Sequence, residues 1–393
     1  MKHRFLSKKY WKSTATAMGE AADTNKNDSS IINLSIGDLD LITNESIIEK
    51  AFLDAKAGHT KYTNPTGDPE LVNELIDFYS KEYKVNIESS EIMMTVGACH
   101  GMYLALQAIL DEDDEVIVPE PFFTPYSNQI TLAKGKMVLL ETREEENFGI
   151  NIDRLRKLIN ERTKAIVLNF PNNPTGACLN RNELEEIASV IIENDLIVIA
   201  DEVYDVFSYS EAFSPLMSIE GMKERTITLG SFSKGYAMTG WRIGYAVAPA
   251  FIISCIRDIN EGICFTAPSI SQRAALHALK IRKNVQPEIV KEYKKRMFYA
   301  AERIKSIPGL SAIEPEGSIY IFINIKETGL SSVEFSKLLK EKAKVIVIPG
   351  NAFGKSGEGY VRIACTVEVE KLEEAFDRIN SLLAEISTVK KGL

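Results

Sequence analysis

Between residues 92 and 248 the sequence alternates short apolar runs with amphipathic stretches, and this alternation limits the fold more than any other feature of the chain. The runs fall at 92–96, 115–118, 137–140, 165–168, 196–200, 226–229 and 244–248. Runs of four or five residues are too short for helices, and their continuous apolar character suits strands buried on both faces. Segments 102–110, 181–193 and 267–279 carry helical spacing instead. Short apolar strands separated by helices predict an α/β fold, with a mainly parallel, seven-stranded sheet between helices. Ligands of such sheets sit beyond the carboxyl ends of the strands, so the polar residues that follow each run are the candidates for chemistry.

The pattern changes after residue 282. A linking helix over 285–304 is followed by a strand-like alternation at 318–325, a helix at 332–342, a strand at 345–348 and a final helix at 369–386. This describes a smaller α+β domain. Upstream, 31–36 reads as extended and ends at Gly37, and helical spacing covers 47–55 and 70–83, the latter after the turn Gly67-Asp68-Pro69. The first thirty residues are polar and read as an arm. The organisation predicted is an arm over 1–45 that joins the small domain, a large domain over 46–282 and a small one over 283–393.

Composition serves mainly to exclude. Lys plus Arg is 46 and Asp plus Glu is 55, a net charge of −9 with no basic block. That disfavours nucleic-acid and anionic-membrane partners. No apolar run approaches the length of a membrane span, and no apolar leader core follows the first residues. Cys99, Cys178, Cys255, Cys264 and Cys365 are scattered, as are His3, His59, His100 and His277. Free thiols, no metal site and a cytoplasmic location are expected.

Several strand ends carry reactive or ligand-binding residue types. Ser231-Phe232-Ser233-Lys234 closes one run, and Arg242 follows. A lysine at a sheet edge can condense with an aldehyde, and Ser231 with Arg242 can hold a phosphate. Taken alone, a solvated loop lysine explains Lys234 equally well. Asp201 ends the run at 196–200, where a carboxylate can pair with a pyridinium nitrogen or simply cap a helix. Tyr204 lies three residues on. Asn172-Asn173-Pro174-Thr175-Gly176 is turn-forming text in its own right, and Asn173 also offers a donor. Gly97-Ala98-Cys99 opens a helix with small residues whose N–H groups suit a phosphate. Phe123 can stack on a planar ring or belong to the core.

Together these pieces resemble the class I/II aminotransferases, pyridoxal-phosphate (PLP) enzymes of fold type I. The matching text is Asn173-Pro174-Thr175-Gly176, Asp201-Glu202-Val203-Tyr204, Ser231-Phe232-Ser233-Lys234 and Arg242, with Gly350, Phe353, Gly354 and Arg362 nearer the end, in the family's order. The resemblance implies that Lys234 bonds covalently to the cofactor and later moves the substrate proton. It implies that Asp201 pairs with the ring nitrogen, and Asn173 and Tyr204 with the ring oxygen. Ser231, Arg242, Ala98 and Cys99 would hold the phosphate, and Phe123 would stack on the ring. Arg362 and the backbone at Gly37 would meet the substrate carboxylate. Tyr62 would reach the phosphate of a neighbouring subunit in a homodimer. The substrates implied are an L-amino acid and a 2-oxo acid.

Two departures stand out. Many members of the family carry a proline soon after the glycine matching Gly37, where this chain has Asp38-Leu39-Asp40. One aspartate-specific branch has a lysine where this chain has Cys99, which argues against aspartate as the preferred donor. Phe122, Phe123 and Tyr126 suit an apolar or aromatic substrate side chain, and His100 lies either beside Cys99 in the site or against its own helix. Carbon–sulfur β-elimination on the same scaffold and a non-catalytic ligand sensor are the alternative functions.

Overall fold

The computed structural model describes residues 4–7, 19, 28 and 30–391, with side chains to 386. The arm expected over the first thirty residues lies mostly outside the described residues.

The predicted sheet is present. Its strands are β2 (Ile92–Thr95), β3 (Glu115–Glu120), β4 (Lys136–Glu141), β5 (Thr163–Asn169), β6 (Ile197–Asp201), β7 (Thr226–Ser231) and β8 (Gly244–Val247). They lie in the order β2-β8-β7-β6-β5-β3-β4. Only β8 runs against its neighbours. Ile166, Val198, Ile199 and Ile227 are fully buried, as strands covered by helices on both faces must be. Register places Asn169 beside Asp201, and Ser231 beside Gly244, so the chemistry-bearing residues share one edge.

The helices begin where the sequence supplies caps. Asn180 and Glu183 form a reciprocal capping box on Arg181–Glu193, and Asp68 caps Pro69–Phe78 ahead of a proline in the first turn. Helix Ala98–Ile109 starts four residues earlier than its apolar spacing indicates, because Gly97, with φ 75°, turns the chain directly off β2.

Ile32–Asn33 (β1) pairs in parallel with Val345–Ile346 (β10), while Ile348–Pro349 (β11) joins Tyr360–Ala364 (β12) and Tyr320–Asn324 (β9) in an antiparallel sheet. The single strand expected at 345–348 is thus two, with consecutive halves turned to different partners. β12, the buried centre of its sheet, lies in text that the sequence reading treats as a motif and not as an element. The helices expected at 70–83 and 332–342 each end in a wide π turn, closed by Lys84 and Lys344 at positive φ. Helix Arg282–Lys305 and helix Val369–Lys391 pack against the antiparallel sheet in one apolar cluster. Among the described residues no helix is long and apolar enough to cross a membrane.

Candidate active site

Ten of the predicted site residues line one cavity of about 320 Å³ at the carboxyl edge of the large sheet: Gly37, Ala98, Cys99, Phe123 and Asn173, then Asp201, Tyr204, Ser231, Lys234 and Arg242. They come from loops up to two hundred residues apart in the chain, and each stands at the place where an element ends.

The anion-binding wall is built by close packing. The N-terminus of helix Ala98–Ile109 has no side-chain cap. Its free N–H groups and the positive end of its dipole therefore remain for a ligand. A Cβ on Gly97 would lie 2.7 Å from Arg242 Nη2, and one on Gly244 would lie 2.8 Å from the Ala98 nitrogen. Only glycines let the guanidinium lie against the helix end. Arg242 itself has φ 52° and donates from Nη1 to the Thr239 carbonyl at 2.8 Å. Ser231 Oγ accepts from the Ser233 nitrogen at 3.1 Å, which orients the hydroxyl beside the same wall.

Opposite stands Asp201, at the tip of β6. One carboxylate oxygen, Oδ2, accepts a hydrogen bond from Tyr126 Oη; the other, Oδ1, is buried and has no partner among the described residues. Burial pushes the carboxyl up to about 6, against the pull of the Tyr126 hydroxyl and the Val203 nitrogen. Asn169 Nδ2 fixes the Asp201 carbonyl at 2.9 Å, and Asn169 Oδ1 accepts from the Asn173 nitrogen at 3.0 Å. Lys234 Nζ donates to the carbonyl of Gly37, which brings the strap after β1 over the lysine.

Arg362 stands just behind this wall and is fully buried. Nη1 donates to Asn173 Oδ1 at 3.0 Å and Nη2 to the Ser35 carbonyl. Nε has no partner among the described residues. The guanidinium lies 4.3 Å from the ring centroid of Tyr320 and 4.8 Å from that of Phe353. Tyr204 Oη donates to Tyr320 Oη at 3.2 Å. A Cβ on Gly37 would fall 1.8 Å from the same Tyr320 oxygen, so the strap reaches the lysine only because residue 37 is glycine.

Tyr62, expected at the phosphate of a neighbouring subunit, lies outside this cavity of its own chain; it is 82% exposed and packs edge-on against Phe265 with ring centroids 5.1 Å apart. His100 takes the helix-facing role, accepting from the Val96 nitrogen at 3.1 Å. Phe122 is core, while Phe123 and Tyr126 both line the cavity, Tyr126 with its hydroxyl on Asp201. Tyr320, Asn169 and Gln129 also line the cavity, and nothing in the local sequence marks them.

The family model for class I and II aminotransferases matches residues 29–379. The chain belongs to that family. It is 42% identical to an aspartate aminotransferase of Pyrococcus abyssi, over 90% of this chain and 92% of the other. It is 40% identical to an aromatic-amino-acid aminotransferase 2 of Thermococcus litoralis, over 90% of this chain and 92% of that relative. The crystal structure of an aromatic aminotransferase from Pyrococcus horikoshii OT3 superposes with a TM-score of 0.89 at 39% identity, covering 94% of this chain and 99% of the other. The activity is therefore transfer of an amino group between an amino acid and a 2-oxo acid.

In this aminotransferase the strap without the proline is secured by its own acids. Asp38 Oδ1 accepts from Thr239 Oγ1 at 2.6 Å. Asp40 Oδ1 accepts from Tyr293 Oη at 2.9 Å and from Arg296 Nη1 at 2.8 Å. Gln129 Nε2 donates to the Cys99 carbonyl at 2.8 Å, and burial pushes the thiol of Cys99 up, so this wall presents a neutral group.

Proposed function

We propose that this aminotransferase binds PLP in the cavity below Lys234 and prefers an L-amino acid with an apolar or aromatic side chain as donor. The observation that carries the reading is a pair of unmet valences. Asp201 Oδ1 and Arg362 Nε are buried groups of opposite charge, both without partners among the described residues. A cofactor with a protonated ring nitrogen answers the first, and a substrate carboxylate answers the second. The Arg242 guanidinium, packed against Gly97 at the start of helix Ala98–Ile109 where no side chain caps, suits a phosphate in charge.

Asp201 would hold the ring nitrogen, Asn173 and Tyr204 the ring oxygen, and Ser231, Arg242, Ala98 and Cys99 the phosphate, with Phe123 against the ring. When bound, PLP supplies an electron sink that acidifies the substrate Cα–H. Lys234, which would carry the cofactor at rest, would take that proton from Cα and deliver it to the cofactor's C4′ carbon. Arg362 orients the substrate through its carboxylate, and Gly37 closes the same end. Lys234 and Arg242 are the only Lys or Arg lining the cavity among the described residues, and both are engaged in this scheme. Among the described residues of this chain a distal carboxylate finds no further cation in the lining, which favours neutral donors.

The enzyme is further read as a cytoplasmic homodimer with an arm over 1–45, a large domain over 46–282 and a small domain over 283–393. Support for the dimer comes from the exposed apolar side chains Phe52, Leu53, Tyr62, Ile263 and Phe265, with Tyr62 reaching the neighbour's phosphate.

The test is an absorption spectrum of the protein with PLP, then borohydride trapping and peptide mapping. A visible band with the label at Lys234, bleached by phenylalanine or leucine faster than by aspartate, is the expected result. No band, or a label elsewhere, sinks the cofactor assignment, and aspartate as the fastest donor sinks the preference.

A further inference from the structure

We infer that Tyr126 is a positioning residue for Asp201, holding one carboxylate oxygen so that the other is presented, charged, to the cofactor ring. The inference rests on the cofactor reading above and names a residue that reading leaves without a role.

Four observations support it. Tyr126 is buried to 2% exposure on helix Pro125–Leu132, across the cavity from β6. Its hydroxyl donates to Asp201 Oδ2, while Oδ1 has no partner among the described residues. Burial and the nearby Asp201 charge push the phenol far above its ordinary range, so it stays a donor at every working pH. Its ring meets Phe123 edge-on at 5.6 Å, so the residue that orients the carboxylate also braces the aromatic assigned to the ring face.

A carboxylate left without donors turns about its Cβ–Cγ bond. Here the backbone is already fixed by Asn169, and the Tyr126 hydroxyl, together with the Val203 nitrogen, holds the carboxylate against that rotation. The groups that face Asp201 from other elements are Cys99 on helix Ala98–Ile109, Tyr204 and Glu202 on its own loop, and the cations Lys234 and Arg242 across the cavity. Among the described residues only Tyr126 donates to this carboxylate from a side chain.

The experiment compares the wild-type protein with Tyr126→Phe, which keeps the ring and its packing. Two readouts are taken: PLP affinity by titration, and thermal stability of the cofactor-free protein at pH 5 and pH 8. Losing a hydrogen bond to a charged group predicts PLP binding weaker by about ten- to a hundredfold. Without its donor the Asp201 carboxyl holds its proton to higher pH, so the variant loses more stability relative to wild type at pH 8 than at pH 5. The same substitution made in Asp201→Asn shows no such difference between the two pH values. A purely packing role predicts equal losses at both pH values and unchanged PLP affinity, and either result overturns the inference. If wild type itself fails to bind PLP, the functional reading falls, while the pH comparison still decides whether Tyr126 controls the Asp201 charge.

Discussion

Two buried arginines, Arg273 and Arg362, are treated in opposite ways by their surroundings. Arg273 is ringed by acids: Asp54 at 2.6 Å, Asp68 at 3.1 Å and Glu70 at 2.8 Å, with His277 bonded to the same Asp54 oxygen. Burial pulls its guanidinium down and these hydrogen bonds more than restore it, leaving it above the ordinary value. Arg362 is buried more deeply, has no carboxylate partner among the described residues and rests between two aromatic faces, and burial holds it below the ordinary value. The first arginine ties helix Ser269–Lys280 to helices Glu45–Lys56 and Pro69–Phe78, and nothing more is asked of it. The second has neutral acceptors only among the described residues, a cost that the proposed substrate carboxylate would relieve. Satisfied charge marks structure here, and unsatisfied charge marks function.

That contrast can be broken in several ways. The largest expected effect is at the cavity: Lys234→Ala lowers transamination by at least about 10⁴-fold, measured as single-turnover amino transfer, because both the attachment point and the proton carrier go. Next is Arg273→Met, which strands Asp54 and Asp68 and costs about 3–5 kcal/mol in denaturant unfolding. Arg362→Met removes an unpaired charge and leaves cofactor-free stability unchanged or higher, while kcat/KM for the donor falls about 10²- to 10³-fold through the lost carboxylate pairing. If Arg362→Met unfolds the protein and Arg273→Met does not, the comparison is wrong.

The smallest effect is in pH. Burial pushes Asp201 and Asp205 up to about 6 and Glu202 up to about 8. Acids raised in the folded state bind protons there that the unfolded chain has released, so their contribution to stability falls as pH rises from about 4 toward those values. Melting curves of the cofactor-free protein between pH 6 and 8 should show a fall of about 2–3 kcal/mol, most of it through Glu202. Loading the cofactor should flatten the Asp201 share of that slope. A slope that rises with pH contradicts the assignment.

The large sheet was legible because its strands are buried on both faces and so are written as unbroken apolar runs. β12 was not, since Arg362 interrupts its text; that arginine is buried by aromatic faces, which local sequence does not show. β10 and β11 were merged because the change of partner at Val347 leaves no mark on side-chain character. Of the site, the residues at strand ends could be placed, since strand ends are where such sheets expose chemistry. Tyr126 and Tyr320 could not: each meets its partner through a hydroxyl, and Asp201 lies 75 residues from Tyr126 along the chain. Phe122 and Tyr126, neighbours in sequence, stand in different settings, Phe122 in the core and Tyr126 in the cavity wall with its hydroxyl on Asp201, a division that local sequence does not show.

The strap over residues 34–43 has a further consequence. It is pinned at Leu34 to β10 and β12, at Gly37 to Lys234, at Asp40 to Arg296 and at Thr43 to Ala237. Pins at such close intervals leave no slack between them. Surface connections ordinarily absorb an added or missing residue with little harm. This one is read by ruler: its letters can be exchanged, as the absent proline shows, but its length cannot, and a single inserted residue between Ser35 and Asp38 would carry the Gly37 carbonyl out of reach of the lysine.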